Sequence, residues 1–79
     1  MATKKVTLIF PQKLIKEPVI YRMAKRFDLM PNIRRARVTE TTGEMTLELS
    51  GSSENLVKGI RYLEKLGVKV EPVVGDIIE

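Results

Sequence analysis

The sequence predicts a single α+β domain whose elements follow the order strand, helix, strand, strand, helix, strand. Two observations carry this prediction. Four short segments place an apolar residue at every second position, which is the period of a strand buried on one face. Two other segments place apolar residues three and four positions apart, which is the period of an amphipathic helix. The 79 residues provide enough chain for one hydrophobic core and too little for two.

The first strand and the first helix have the clearest patterns. Lys4 to Phe10 alternates in period two, and Pro11 ends the strand. Ile9 is apolar on the opposite face, so we expect this strand to lie inside the sheet rather than at its edge. A helix is predicted from about Pro18 to Phe27, because proline suits the first helical position and Glu17 complements the helix dipole.

The middle of the chain predicts a hairpin with one irregularity. Residues 28–32 are expected to connect the first helix to a strand that starts at Arg34, and a turn at residues 41–43 leads into a third strand at residues 45–50. Ile33 has the wrong parity to share a face with Ala36 and Val38. Either the strand bulges between Ile33 and Arg35, or Ile33 belongs to the preceding loop.

The last two elements complete the order. A second helix follows, with Ser52 or Ser53 as its cap, an apolar stripe from Leu56 to Leu66 and Gly67 just past its end, and a short strand is predicted at residues 68–71. This order is that of the ferredoxin-like fold, in which two helices pack on one face of a four-stranded antiparallel sheet. We expect one domain over residues 1–79, with a folded part at about residues 4–73 and a tail at 74–79. The predicted core is Val6, Leu8, Phe10, Ile20, Met23, Phe27, Ala36, Val38, Met45, Leu47, Leu49, Leu56, Ile60, Leu63, Val68 and Val70.

The composition argues against several classes of function. The chain has no cysteine and no histidine, which removes disulfides, thiolate metal sites and the commonest general base. We find no nucleophile–base pair, phosphate loop or metal-ligand spacing, and we expect neither catalysis nor a cofactor. The net charge of +4 is interpreted as solvated helix faces rather than a specific nucleic-acid site, because the outward positions of the predicted central strands carry no aromatic residue. Apolar segments are shorter than a membrane span, so we expect a cytoplasmic protein without membrane insertion.

A series of short motifs extends from Lys5 to Val73. They are VTLIFP at residues 6–11, EPVI at 17–20, AKRF at 24–27, Asn32-Ile33-Arg34, GEMTLELSG at 43–51 and IRYLEKLGVKVE at 60–71. In this order and spacing they resemble the NIL domain, which is named after an Asn-Ile-Leu motif. Arg34 departs from the aliphatic third residue of that motif.

The resemblance implies an ACT-like, ferredoxin-like domain that forms dimers. In methionine ABC importers such a domain follows the ATPase subunit, binds methionine and turns transport down. In another branch it precedes a pair of iron–sulfur clusters, in proteins linked to sulfur amino-acid metabolism. The short hairpin turn and the stretch from Asn32 to Val38 look closer to this ferredoxin-associated branch. No cysteine follows Glu79, so we expect a solitary domain or a fragment.

The resemblance also implies a ligand site at Asn32, Ile33 and Arg34. The amide of Asn32 carries a donor and an acceptor, which suits the carboxylate or ammonium of an amino acid. Ile33 would line the apolar part, and Arg34 offers a charge-assisted bond to a carboxylate. The alternative is structural: Asn32 is a turn residue after Pro31, and the arginines form a solvated strand edge.

We therefore predict a non-catalytic regulatory or sensing domain that binds a small amino acid, such as methionine or a related sulfur amino acid, at or near a dimer interface. The alternative is a protein-interaction module without a small ligand. Such a module would contact a redox (iron–sulfur) or transport partner through its sheet edge or its basic helix faces.

Overall fold

The computed structural model describes residues 1–73 and contains a four-stranded antiparallel sheet with the strand order β2-β3-β1-β4. Its elements are β1 (Ala2–Pro11), a 3-10 helix (Gln12–Leu14), α1 (Val19–Phe27), β2 (Met30–Val38), β3 (Thr42–Gly51), α2 (Ser53–Leu66) and β4 (Lys69–Pro72). Both helices pack on one face, so the ferredoxin-like α+β fold is confirmed, as is the interior position of β1. The predicted tail, residues 74–79, lies outside the described residues.

The core lies between the two helices and the central strands. Its buried members are Val6, Leu8, Phe10, Val19, Met23, Leu29, Leu47, Leu49, Leu56, Leu63 and Val68. Four more predicted core residues are partly buried against this cluster: Ile20, Phe27, Met45 and Val70. Ile60 is half-buried. Alternation in β1 and β3 thus identified the buried face correctly, because both strands are covered by helices on one side only.

The prediction that Ala36 and Val38 belong to the core is wrong. Val38 is 65% exposed, and Ala36 is exposed as well. Both lie on β2, which is paired on one side only and contains no buried residue. Burial of Ala36 and Val38 would require the helix layer to cover β2, whereas the buried sheet residues within 1–73 belong to β1 and β3.

The predicted connection at residues 28–32 is also wrong in part, because β2 already begins at Met30. Asp28 ends α1 in the left-handed conformation, with φ 52°, and Leu29 then turns into the core. Leu29 fits because Gly51 and Gly59 have no side chains. A Cβ at Gly51 would lie 2.5 Å from Leu29 Cδ2, and one at Gly59 would lie 2.6 Å from Leu29 Cδ1.

The helix ends follow the sequence signals with one exception. Ser52 Oγ accepts a hydrogen bond from the Asn55 amide at 3.0 Å, and Gly67 closes α2 with φ 108°, so both predicted caps of this helix are confirmed. Pro18 occupies the N-cap of α1 rather than its first turn. Glu17 therefore lies outside the helix, where its carboxylate accepts a hydrogen bond from Arg22 Nη1 at 3.1 Å.

Leu29 and Met30 provide a matched test of this packing, since the first is 7% exposed and the second 65%. We expect Leu29→Ala to lower the free energy of unfolding by about 2–5 kcal/mol, because it leaves a cavity beside two glycines. Leu29→Val should cost about 1 kcal/mol. Met30→Ala should change stability by no more than about 0.5 kcal/mol. Urea unfolding followed by circular dichroism measures all three, and equal losses at the two positions would contradict the assignment of Leu29 to the core.

Candidate functional site

A β-bulge lies in the middle of β2. The strand pairs with β3 from Met30 opposite Ser50 to Val38 opposite Gly43, and the register shifts between Ile33 and Arg35. Of the two alternatives for Ile33, a bulge in the strand or a place in the preceding loop, the bulge is therefore confirmed. Ile33 lies opposite the buried Leu47, which places its side chain on the helix side of the sheet. The extra residue restores the parity, so that Ala36 and Val38 also face the helix side.

Asn32 and Arg34 converge on a single carboxylate, that of Glu48 on β3. Asn32 Nδ2 donates a hydrogen bond to Glu48 Oε1 at 3.3 Å, and Arg34 Nη1 lies 3.6 Å from the same oxygen. Glu48 stands between the buried Leu47 and Leu49, so its side chain projects from the open face of the sheet, away from the helices. The carboxylate of Glu48 thus occupies the donors that an amino-acid carboxylate would need.

The structure brings together two of the three predicted site residues. Ile33 projects from the opposite face and is 52% exposed there. Asn32 lies within β2 and pairs with Glu48, so the interpretation of Asn32 as a turn residue is wrong. The sequence reasoning missed Glu48 as a partner. The sequence feature that could have indicated Glu48 is an acidic residue on the polar face of one hairpin strand, next to a second strand that is rich in arginine.

A polar hollow of about 410 Å³ lies farther along the same hairpin. It is lined by Arg35, Ala36, Arg37, Glu44 and Thr46. Arg35 lies opposite Thr46, and Arg37 lies opposite Glu44. Within residues 1–73 neither guanidinium forms an ion pair with a carboxylate. The hydroxyl of Thr46 lies 3.0 Å from the hydroxyl of Thr7 on β1.

The face of β2 on the helix side of the sheet is apolar, in contrast to the polar open face. Ile33, Ala36 and Val38 form an exposed apolar strip there, which no helix covers. A groove of about 220 Å³ adjoins the strip at Val38 and runs between β3 and the start of α1. Its other apolar walls include Phe10, Leu14, Ile15, Ile20 and Met45.

The outer surface of the two helices is basic and partly aromatic. The guanidinium of Arg26 lies 5.5 Å from the ring centre of Phe27 and 5.6 Å from that of Tyr62, so it covers the junction of α1 and α2. Lys25 lies 5.6 Å from the ring centre of Tyr21. In the described part of the chain there is no helix of the length and apolar character required to span a membrane. The same residues contain no group of three or more potential metal-ligating side chains.

Comparisons with known proteins show the family of this chain. A family model described as the NIL domain matches residues 4–72. Over 67 residues, or 80% of this chain, the sequence is 39% identical to the methionine import ATP-binding protein MetN 2 of Acinetobacter baylyi. The chain spans only 20% of that relative's length. A crystal structure of the C-terminal domain of an ABC transporter ATP-binding protein from Enterococcus faecalis matches with a TM-score of 0.78 and 23% identity, covering 92% of this chain and 86% of that one. This last likeness supports the fold.

We expect the polar cluster at the bulge to contribute little to stability, because solvent reaches its members: the side chain of Arg34 is 54% exposed and that of Glu48 31%. We expect Asn32→Ala and Glu48→Gln each to change the free energy of unfolding by less than about 1 kcal/mol. Thermal and urea unfolding measure this. A loss beyond about 2 kcal/mol would instead identify the cluster as a structural support of β2.

Proposed function

The chain belongs to the NIL domain family, and on that premise we propose that it is a non-catalytic regulatory domain that binds a small amino acid at Asn32 and Arg34, beside a contact between two copies. The observation that carries the proposal is the convergence of Asn32 and Arg34 on Glu48, at 3.3 and 3.6 Å. A bulge on an exposed edge strand holds both donors, and bulges commonly occur next to functional sites.

The cluster has the charges that complement the α-groups of an amino acid. A ligand carboxylate can replace Glu48 as the acceptor for Asn32 and Arg34, and these charge-assisted bonds are stronger than neutral ones. The displaced Glu48 then accepts from the ligand ammonium. The relative named above is a methionine import protein, so methionine and related sulfur amino acids are the first ligands to test.

The dimer contact in this proposal is the helix side of β2. The strand has one free edge and an exposed apolar strip made of Ile33, Ala36 and Val38, whose burial against a second copy is favourable. The arginines of β2 project from the other face, where Arg35 lies opposite Thr46 and Arg37 opposite Glu44, so they do not interrupt the strip. In this proposal Ile33 belongs to the dimer contact and does not line the ligand site, which lies on the other face with Asn32.

Ligand binding could regulate dimer packing because the proposed ligand site and the proposed dimer contact lie on the same strand, β2. A ligand changes an equilibrium only when it binds one arrangement better than another. Displacement of Glu48 from Asn32 and Arg34 removes two side-chain contacts between β3 and the bulge of β2, and the backbone at the bulge also sets the direction of Ile33. Ligand binding on one face would thereby alter the packing of two copies through the other.

The proposal also assigns the domain a cellular location and a partner protein. Because its relative is the ATP-binding protein of an importer, we place the domain in the cytoplasm, with a transport protein as its partner. The resemblance of Asn32 to Val38 to the ferredoxin-associated branch is the ground for proposing the other partner class, a redox protein with iron–sulfur clusters.

A second candidate is a protein-interaction module without a small ligand. It is favoured by the basic layer over the helices, where Arg26 is stacked on Phe27 and Tyr62 and is available to an acidic surface. The two candidates differ in one observable. A sensor responds to an amino acid at Asn32, whereas an interaction module loses partner binding when the cations of α1 and α2 are removed.

Ile33→Lys tests the dimer contact. We expect the dissociation constant of the dimer to rise at least about tenfold, because the contact would bury an unpaired ammonium. Val57→Lys is the matched control, since Val57 on α2 is 50% exposed and Ile33 is 52% exposed. Sedimentation velocity over a concentration series measures both variants. A monomeric wild-type chain, or equal weakening by both substitutions, would rule out β2 as the contact.

Asn32→Ala tests the ligand site. Titration of the isotope-labelled chain with methionine and related sulfur amino acids should move the backbone amides of residues 32–37 saturably, as followed by NMR. Loss of one hydrogen bond to a charged group should weaken binding about tenfold or more. Asn55→Ala, in the first turn of α2, is the control and should leave the affinity unchanged. If the wild-type amides do not move at millimolar ligand while the dimer is intact, the sensor proposal fails for these ligands.

A further inference from the structure

We propose that the ligand of this domain is an amino acid whose side chain ends in a negative charge, a carboxylate or a sulfonate, and that Arg35 and Arg37 bind that charge. This inference rests on the proposed function, since it assigns the α-groups of the ligand to the cluster of Asn32, Arg34 and Glu48. It concerns the neighbouring hollow on the same face, to which that proposal gives no role.

The bulge is what places consecutive arginines on one face. In a regular strand Arg34 and Arg35 would project to opposite sides. Here Arg34 reaches Glu48, and Arg35 lies opposite Thr46, which is two residues from Glu48 and therefore on the same side of β3. The guanidinium of Arg34 is thus available for the α-carboxylate of the ligand, and that of Arg35 for the acidic group at the end of its side chain.

The charges around the hollow are not balanced within residues 1–73. Arg35 and Arg37 project from the same side, two residues apart, and neither pairs with a carboxylate. Glu44 lies opposite Arg37 and repels an anion there, but it offsets only one of the two positive charges. The combination of Arg35 with the Thr46 hydroxyl is the part of the hollow that favours an oxyanion, because a guanidinium binds carboxylate-like groups with two parallel hydrogen bonds.

The spacing suits an amino acid with a side chain of two methylenes. Glu48 and Thr46 are two residues apart on β3, which corresponds to roughly 6.6 Å along the strand. The terminal group of such a side chain lies about 5 Å from its Cα. A ligand held by Asn32, Arg34 and Glu48 therefore brings its terminal group to Arg35 and Thr46. The hollow of about 410 Å³ has room for that group.

A thioether finds little apolar surface on this face. Ile33 faces the other side of β2, and the β3 residues that surround the site are Thr46, Glu48 and Ser50. The cross-strand row through Thr46 consists of Arg35, Thr46 and Thr7, whereas the apolar Met30 and Ile9 lie in the rows of Ser50 and Glu44. The chemistry of the open face thus favours a charged terminal group over a methylthio group.

The test compares four ligands of matched length on the full chain: L-glutamate, L-homocysteate, L-glutamine and L-methionine. Affinities are measured by calorimetry, and the contact region by amide shifts. We expect one acidic ligand, or both, to bind at least about tenfold more tightly than glutamine and methionine. The order of glutamate and homocysteate decides between carboxylate and sulfonate. Inorganic sulfate alone should move the amides near Arg35 and Arg37 without moving that of Asn32.

The variants separate this inference from the function on which it rests. Arg35→Gln combined with Arg37→Gln should remove the preference for acidic ligands while the affinity for glutamine and methionine changes less than about twofold. Arg22→Gln combined with Arg61→Gln removes the same charge from the helices and should preserve the preference.

If methionine binds as tightly as glutamate and the strand variant behaves like wild type, the inference is overturned and the proposed sensor stands. If sulfate binds as tightly as the amino acids, the site is a general oxyanion site and the ligand class is wrong. If no amino acid moves the amides of residues 32–48, the proposed function fails and the inference fails with it.

Discussion

The packing of Leu29 against Gly51 and Gly59 decides where β2 lies. The chain leaves α1 through the left-handed Asp28, and Leu29 enters space that exists because two glycines, one on β3 and one on α2, lack side chains. This contact joins the end of β3, the middle of α2 and the start of β2. The pairing of Met30 with Ser50 follows directly after it, and the same register continues through Asn32 with Glu48 to Ile33 with Leu47, where the bulge begins.

The position of β2 at the edge gives its two faces different chemistry. Toward the helices, the strand presents an apolar strip that the core does not cover. Away from the helices, it presents amide and guanidinium groups next to the carboxylates of β3. A small domain buries a modest core and commonly gains stability from a partner subunit, and the contact proposed above would use this apolar strip. The bulge makes this division possible, because it restores the alternation of apolar residues after Ile33.

The electrostatics also differ between the two sides of the molecule. On the helices, several cations are partnered: Arg22 with Glu17, Lys58 with Glu54, and Arg26 with two aromatic rings. On the open sheet face, Arg34 shares Glu48 with Asn32, while Arg35 and Arg37 line a hollow without an ion pair among the described residues. Exposed ion pairs contribute little to stability.

The sequence by itself determined the order of elements, the fold class, the caps of α2 and the interior position of β1. These features depend on local periodicity and on residues such as Ser52, Gly67 and Ile9, whose effect does not require knowledge of distant neighbours. The misfit of Ile33 was visible in the sequence, but only the pairing with β3 distinguished a bulge from a loop. The exposure of Val38 and the meeting of Asn32, Arg34 and Glu48 were decided by the tertiary structure. Period-two alternation is the same for a strand face covered by a helix and for one left bare, so coverage and cross-strand partners follow only from the assembled sheet.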